Sequence, residues 1–196
     1  MTSKNDGNVV LDRQNNNIQG GVVISSPDAH VPLPNLKYGY RKERYRWEEL
    51  KAIIHDEQDL DKLSRSENDQ REYEVFRYHL KQQYSSIVDY ILITKFGFEK
   101  AKNDTGLWRS IPSLQESKIP RKTLVKNDFP YYTAPNIIHY ILWKIKEDLT
   151  PTEIEQADTE LKTSYGALDV VEWTNPPHLK SLPEIDHAHF LCLIKE

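Results

Sequence analysis

The sequence predicts an α+β protein whose C-terminal part forms an antiparallel sheet packed with N-terminal helices. Two observations carry this. Helical periodicity is confined to the first half and to one segment near residue 150, whereas alternating β-branched runs appear only after residue 135. The late order of strand, helix, strand, loop, strand then favours an antiparallel arrangement.

A chain of 196 residues suits one domain. Residues 1–34 are rich in Asn, Ser, Gly and Asp, end in "SPDAHVPLPN" and lack periodicity, so they are expected to form a mostly disordered tail. The remainder, residues 35–196, is expected to be a single α+β unit.

In "YGYRKERYRWEELKAIIHDE", Trp47, Leu50, Ile53 and Ile54 recur at helical steps. A second, longer helix is expected over "SENDQREYEVFRYHLKQQYSSIVDYILITKFGF", with Ser66 as cap, a stripe from Tyr73 and Phe76 through Leu80, Tyr84 and Ile87 to Ile91, and Gly97 as stop. Residues 99–126 carry turn formers and prolines and are expected to cross irregularly, with one short element at most.

"NIIHYILWK" reads as a strand, with Ile137, His139, Ile141 and Trp143 on one face and Ile138, Tyr140 and Leu142 on the other. The next helix opens with Thr150 as cap, Pro151 at its first position and Glu153 completing a capping box, and Ile154, Ala157 and Leu161 form its buried face. "ALDVVEW" and "HAHFLCLI" complete the strands, joined by the proline-rich loop "TNPPHLKSLPEID".

A net charge of −4 argues against a dedicated nucleic-acid binder, which needs clustered Lys and Arg, while leaving room for a local anion pocket. The single Cys192 cannot form an internal disulfide, and no run of eighteen apolar residues or secretory leader is visible. A cytoplasmic or nuclear protein, not a membrane protein, is expected.

His187 and His189 share one face of the last strand with Leu191, while Ala188, Phe190 and Cys192 face the other way. Three chemistries fit such a pair. It can bind a metal if a further ligand such as His139 or His178 approaches. It can act on phosphate, one imidazole attacking or protonating while the other positions it. It can also be purely structural.

"NDFPYYTAPNIIHYILWKIKEDLTPTEI" and "NPPHLKSLPEIDHAHFLCL" together resemble the histidine-triad superfamily of nucleotide-binding hydrolases and transferases. Asp128, Pro130, Pro135 and His139 match its first block, "DLTPTEI" its helix start, and His187 with His189 two of its alternating histidines. The third alternating position is Leu191, and "HLKSLPEID" stands where a phosphate-holding Gly-Gln-Ser run is usual. The register can slip by two, so which ring corresponds to the nucleophile stays open. From about residue 38 onward the chain is further identified as similar to the fungal N-acetylglucosamine-induced protein 1 family, through "RWEELKAII", "LSRSENDQREY", "KNDFPYYTAPNIIHYILW" and "WTNPPHLKSLPEIDHAHFL".

These resemblances imply a protein that binds nucleotides, with UTP, UDP or CTP favoured, linked to an N-acetylglucosamine response. An enzyme using His187 and His189 is the alternative, and a metal-binding or regulatory protein a further one. Asp128 would accept hydrogen bonds from ribose hydroxyls. Its neighbour Asn127 belongs to the same motif, and Phe129, Tyr131 and Tyr132 would stack on a base. Asn175, His178, Lys180 and Ser181 would meet phosphates, with Arg65 and Arg109 as remoter candidates. The resemblances specify no certain cofactor, and a divalent metal can accompany bound nucleotide phosphates.

Overall fold

The computed structural model describes residues 17–19, 22–24, 30–111, 119–180, 182 and 184–195. Much of the expected disordered tail lies outside the described residues. Within it, β1 (Asn17–Gln19) and β2 (Val22–Ile24) pair antiparallel, and Val31 is buried.

The helical half begins with α1 (Trp47–Lys51), which runs on as a π-helical turn over Ala52–Glu57, burying Trp47, Leu50, Ile53 and Ile54 as the periodicity predicts. The expected long helix is two. α2 (Glu67–Gln83) ends at Tyr84 in an extended conformation, and α3 (Ile87–Phe96) starts afresh. The cause is local: Ser86 Oγ accepts from Asp89 N at 3.0 Å, repeating the cap in which Ser66 Oγ accepts from Asp69 N at 3.1 Å. A cap inside a continuous apolar stripe divides it without altering its period. Gly97 stops α3 at φ +75°, a left-handed conformation that costs a residue without Cβ little.

Residues 99–126 hold more structure than expected. β3 (Lys100–Lys102) and β4 (Trp108–Ser110) form a hairpin about Asn103, whose Oδ1 accepts from Thr105 N and Leu107 N. β5 (Lys122–Lys126) joins the main sheet.

That sheet has the order β5-β6-β8-β7, all antiparallel, with β6 (Ile137–Lys144), β7 (Asp169–Trp173) and β8 (Asp186–Leu193). The register sets Trp143 opposite His187, Ile141 opposite His189, and Trp173 opposite His189 from the other side. Side chains therefore divide between two layers, as the alternation predicts.

One face carries Tyr140, Leu142, Ala188, Phe190 and Cys192 and is covered by α4 (Pro151–Ser164) through Ala157 and Leu161. The capping box is complete: Thr150 Oγ1 accepts from Glu153 N at 3.3 Å, and Glu153 Oε2 accepts from Thr150 N at 2.9 Å. Glu153 also receives Lys144 Nζ at 2.8 Å, tying the helix start to the end of β6. The other face packs against α1 and its π-helical extension at one end and against α2 and α3 at the other. Between α2, α3 and this second face the packing opens.

Candidate functional site

The opening is a cleft of about 540 Å³ that His187 and His189 line from the sheet side. Its helical wall is apolar, formed by Phe76 and Leu80 of α2 and Ile87, Tyr90 and Ile91 of α3. Two segments close the sides, Lys126 to Phe129 with Tyr131, and Asn175 with His178, Leu179, Lys180 and Leu182, and they belong to the two polar motifs.

Of the residues expected to bind ligand or act on it, Asn127, Asp128, Phe129, Tyr131, Asn175, His178, Lys180, His187 and His189 all line this cleft. Tyr132 does not. It lines an adjoining cavity of about 320 Å³ beyond the loop, where Arg44 lies 4.5 Å over its ring. Ser181 lies outside the described residues. Arg109 is exposed on β4 and does not line the cleft.

The two histidines of β8 are held differently. His187 Nδ1 lies 3.0 Å from the carbonyl of Ile185. A carbonyl only accepts, so Nδ1 carries the hydrogen and Nε2 keeps its lone pair. Burial pushes the His187 pKa below its ordinary value, so the ring is neutral at pH 7. His189 has both nitrogens engaged, Nδ1 with His139 Nε2 at 3.1 Å and Nε2 with Asn175 Nδ2 at 3.1 Å, and it stacks on Trp173 at 5.0 Å and 13°. Of the two candidate catalytic rings, His187 has the nitrogen available for chemistry. Burial drives the His189 pKa well down and that of His139 to about 3, so both rings are neutral.

Among the described residues no group of three or more His, Cys, Asp or Glu side chains is arranged to hold a metal ion. His139 and His189 spend their nitrogens on each other and on asparagines rather than converging on a point.

The aromatic motif residues are embedded. Phe129 is buried against Phe76 and Tyr73, with ring centroids at 4.6 and 5.1 Å. Tyr131 stacks on His139 at 5.2 Å and 20°. The loop turns because Asn127 Oδ1 accepts from Phe129 N at 3.0 Å, so the Asx turn belongs to Asn127. Asp128 Oδ2 receives Lys95 Nζ at 2.6 Å and the Tyr90 hydroxyl at 3.4 Å. Burial and the adjacent carboxylate keep the Tyr90 phenol protonated.

Cations dominate the rim. Arg65, Arg77, Lys95, Lys126 and Lys180 line the cleft against the carboxylates Glu74 and Asp128, a local excess of positive charge in a chain of net charge −4. Arg65 is occupied: its Nε and Nη2 donate to the Phe129 carbonyl at 3.0 and 2.7 Å, which positions the motif loop. Lys180 is steadied by Asp186 at 2.9 Å, and Asp186 is itself fixed by Leu149 N at 2.8 Å. Arg77 Nε is buried with no hydrogen-bond partner among the described residues.

Sequence reasoning missed Arg77, Lys95 and Lys126. The four-residue step from Tyr73 to Arg77 was the available signal, since it sets both on one face of α2.

A family model described as "Protein of unknown function (DUF3605)" matches residues 46–193. The chain belongs to this family. The matched span runs from the residue before α1 to the last residue of β8, so the DUF3605 unit holds the whole floor of the cleft, while Arg44 precedes it. A crystal structure of HTC1 is similar to this chain, with 24% identity and a TM-score of 0.50 over 77% of this chain and 86% of that one. That likeness concerns the fold alone. No curated protein matches the chain. Among the described residues no helix is long and apolar enough to cross a membrane.

Proposed function

We propose that the cleft binds a nucleoside phosphate, with pyrimidine nucleotides of the UTP, UDP or CTP type favoured. The observation that carries this reading is the convergence of both polar motifs on one cleft whose rim is cationic and whose wall is apolar. Its volume lies within the range of roughly 300–1,000 Å³ usual for small-ligand sites. Lys180 and Lys126 supply positive charge for phosphates and His178 a ring nitrogen that can hydrogen-bond to them, while Asp128 offers an oxygen to ribose hydroxyls. The kinship with histidine-triad proteins, the link to an N-acetylglucosamine response and a cytoplasmic or nuclear location rest on the sequence resemblance and composition.

A thermal-shift panel of nucleoside mono-, di- and triphosphates, with and without magnesium, tests binding. A ligand at a hundred times its dissociation constant adds about 2.7 kcal/mol of stability. No shift with any member would sink the proposal.

A second reading, a hydrolase or nucleotidyl transferase, is favoured by one detail: the lone pair on His187 Nε2, at the floor of the cleft, is oriented by the Ile185 carbonyl. It predicts product release that disappears in His187→Ala while nucleotide binding persists. A retained rate in that variant would exclude histidine attack.

A further inference from the structure

The helix α2 presents a polar line to the cleft. Gln70, Glu74 and Arg77 follow one another at steps of four and three residues, which sets them on one face of the helix, and all three line the opening. The line is anchored at Arg65, which holds the Phe129 carbonyl with Nε and Nη2 and donates from Nη1 to Gln70 Oε1 at 3.2 Å. A guanidinium only donates, so the Gln70 amide is fixed with its nitrogen toward Glu74, and Nε2 donates to Glu74 Oε1 at 2.9 Å. Glu74 Oε2 in turn receives Arg77 Nη1 at 3.2 Å.

At Arg77 the line ends with donors to spare. Among the described residues only Nη1 of this side chain has a hydrogen-bond partner. Nε is shielded from solvent and has no acceptor, so the fold bears the desolvation of a charged donor without the bond that would offset it. The planar guanidinium sets the Nε hydrogen and one Nη2 hydrogen side by side, which makes a two-pronged donor edge opposite the nitrogen that Glu74 takes. The Arg77 side chain is 36% exposed, enough for that edge to meet a ligand in the cleft it lines.

Charge separates Arg77 from the other cations. Glu74 balances it, whereas Lys126 lines the cleft with no ion pair among the described residues. Phosphates are drawn to the unbalanced charge. A balanced donor edge suits a neutral group that offers two acceptors side by side.

We infer that Arg77 reads the base of the ligand, its Nε and Nη2 donating to N3 and O2 of cytosine. Cytosine carries these two acceptors next to each other. In uracil N3 bears a hydrogen that would meet a donor, and in adenine an amino group stands beside N1 and N7. Guanine offers O6 and N7 in the same manner and is the competing base. The assignment rests on the nucleotide reading and narrows it from pyrimidine nucleotides to cytidine.

Calorimetric titration of CTP, UTP, GTP and ATP, each with magnesium, into the full chain tests the base. CTP is expected to bind roughly tenfold or more tightly than UTP, the scale of one good two-pronged base contact. UTP bound as tightly as CTP would overturn the inference and leave the nucleotide reading standing, and so would GTP bound as tightly as CTP. Binding by none of the four would sink the nucleotide reading and the base assignment together.

Arg77→Lys keeps the charge facing Glu74 and removes the fork. The preference for CTP over UTP is expected to disappear in this variant, and a preference that survives would overturn the role of Arg77. Nitrogen-15 NMR of the unaltered, arginine-labelled protein gives a readout that no folding defect can confuse. The Arg77 Nε–H signal is expected to move on addition of CTP and to move far less with UTP, whereas equal shifts would contradict the assignment.

Discussion

The two faces of the main sheet come from the same strands, residue by residue in alternation, and they are built in opposite ways. Toward α4, Ala188, Phe190 and Cys192 meet Ala157 and Leu161 in a closed apolar layer, in which burial pushes the Cys192 thiol up to about 12 and keeps it protonated. Toward α2 and α3, the alternate positions of β6 and β8 hold His139, His187 and His189, and the layer opens into a cleft. One face supplies stability through area removed from water. The other gives some of that up to hold neutral imidazoles and a cationic rim.

The largest effect expected on this contrast is from Phe190→Ala, which empties a fully buried site on the closed face. About 3–5 kcal/mol should be lost in denaturant unfolding. His187→Ala, on the open face beside the cleft, should cost markedly less. Equal losses would mean the faces do not differ as described.

Next comes acid sensitivity, which separates the faces by pH. His139, His187 and His189 all have folded pKa values lowered by burial, His139 from 6.5 to about 3. Below pH 6.5 the unfolded chain binds protons that the fold refuses, so stability falls as the pH drops, for His139 down to about pH 3, by up to about 1.4 kcal/mol per pH unit for that ring. On the α4 side Glu153 is lowered from 4.5 to about 2, chiefly by Lys144, so its contribution is present above pH 4.5 and lost as pH falls toward 2. Unfolding midpoints measured from pH 7 to 3 should therefore decline before any carboxylate titrates. His139→Asn should flatten the upper part, and Glu153→Gln only the lower.

The smallest of these effects is Thr150→Ala, which removes the cap of α4 and should cost about 1 kcal/mol without altering ligand binding. A change in nucleotide affinity in that variant would show that the faces are coupled.

The closed face was legible in the sequence because its signals are local. Alternation located β6, β7 and β8, and the Thr150, Pro151, Glu153 start located α4. β5 was not legible: its edge strand "KTLVK" has few apolar residues, and its pairing with β6 is a tertiary fact. The break between α2 and α3 was hidden because Ser86 caps inside a continuous stripe.

The cleft was legible in its loops and floor, where unusual residues cluster in short runs. Arg77, Lys95 and Lys126 were not, since each looks like an ordinary surface charge until α2 and α3 fold over the sheet. The contacts that tie Asn127, His139, His189 and Asn175 together are tertiary, and no spacing in the sequence carries that information.

Calorimetric titration of UTP and CTP into the full chain tests the proposed role of the open face most directly. Saturable binding of one nucleotide per chain is expected, weakened by salt and by Lys180→Ala, with the far-UV circular dichroism of that variant unchanged. Absence of binding by either nucleotide, with and without magnesium, or binding that Lys180→Ala leaves untouched, would contradict it.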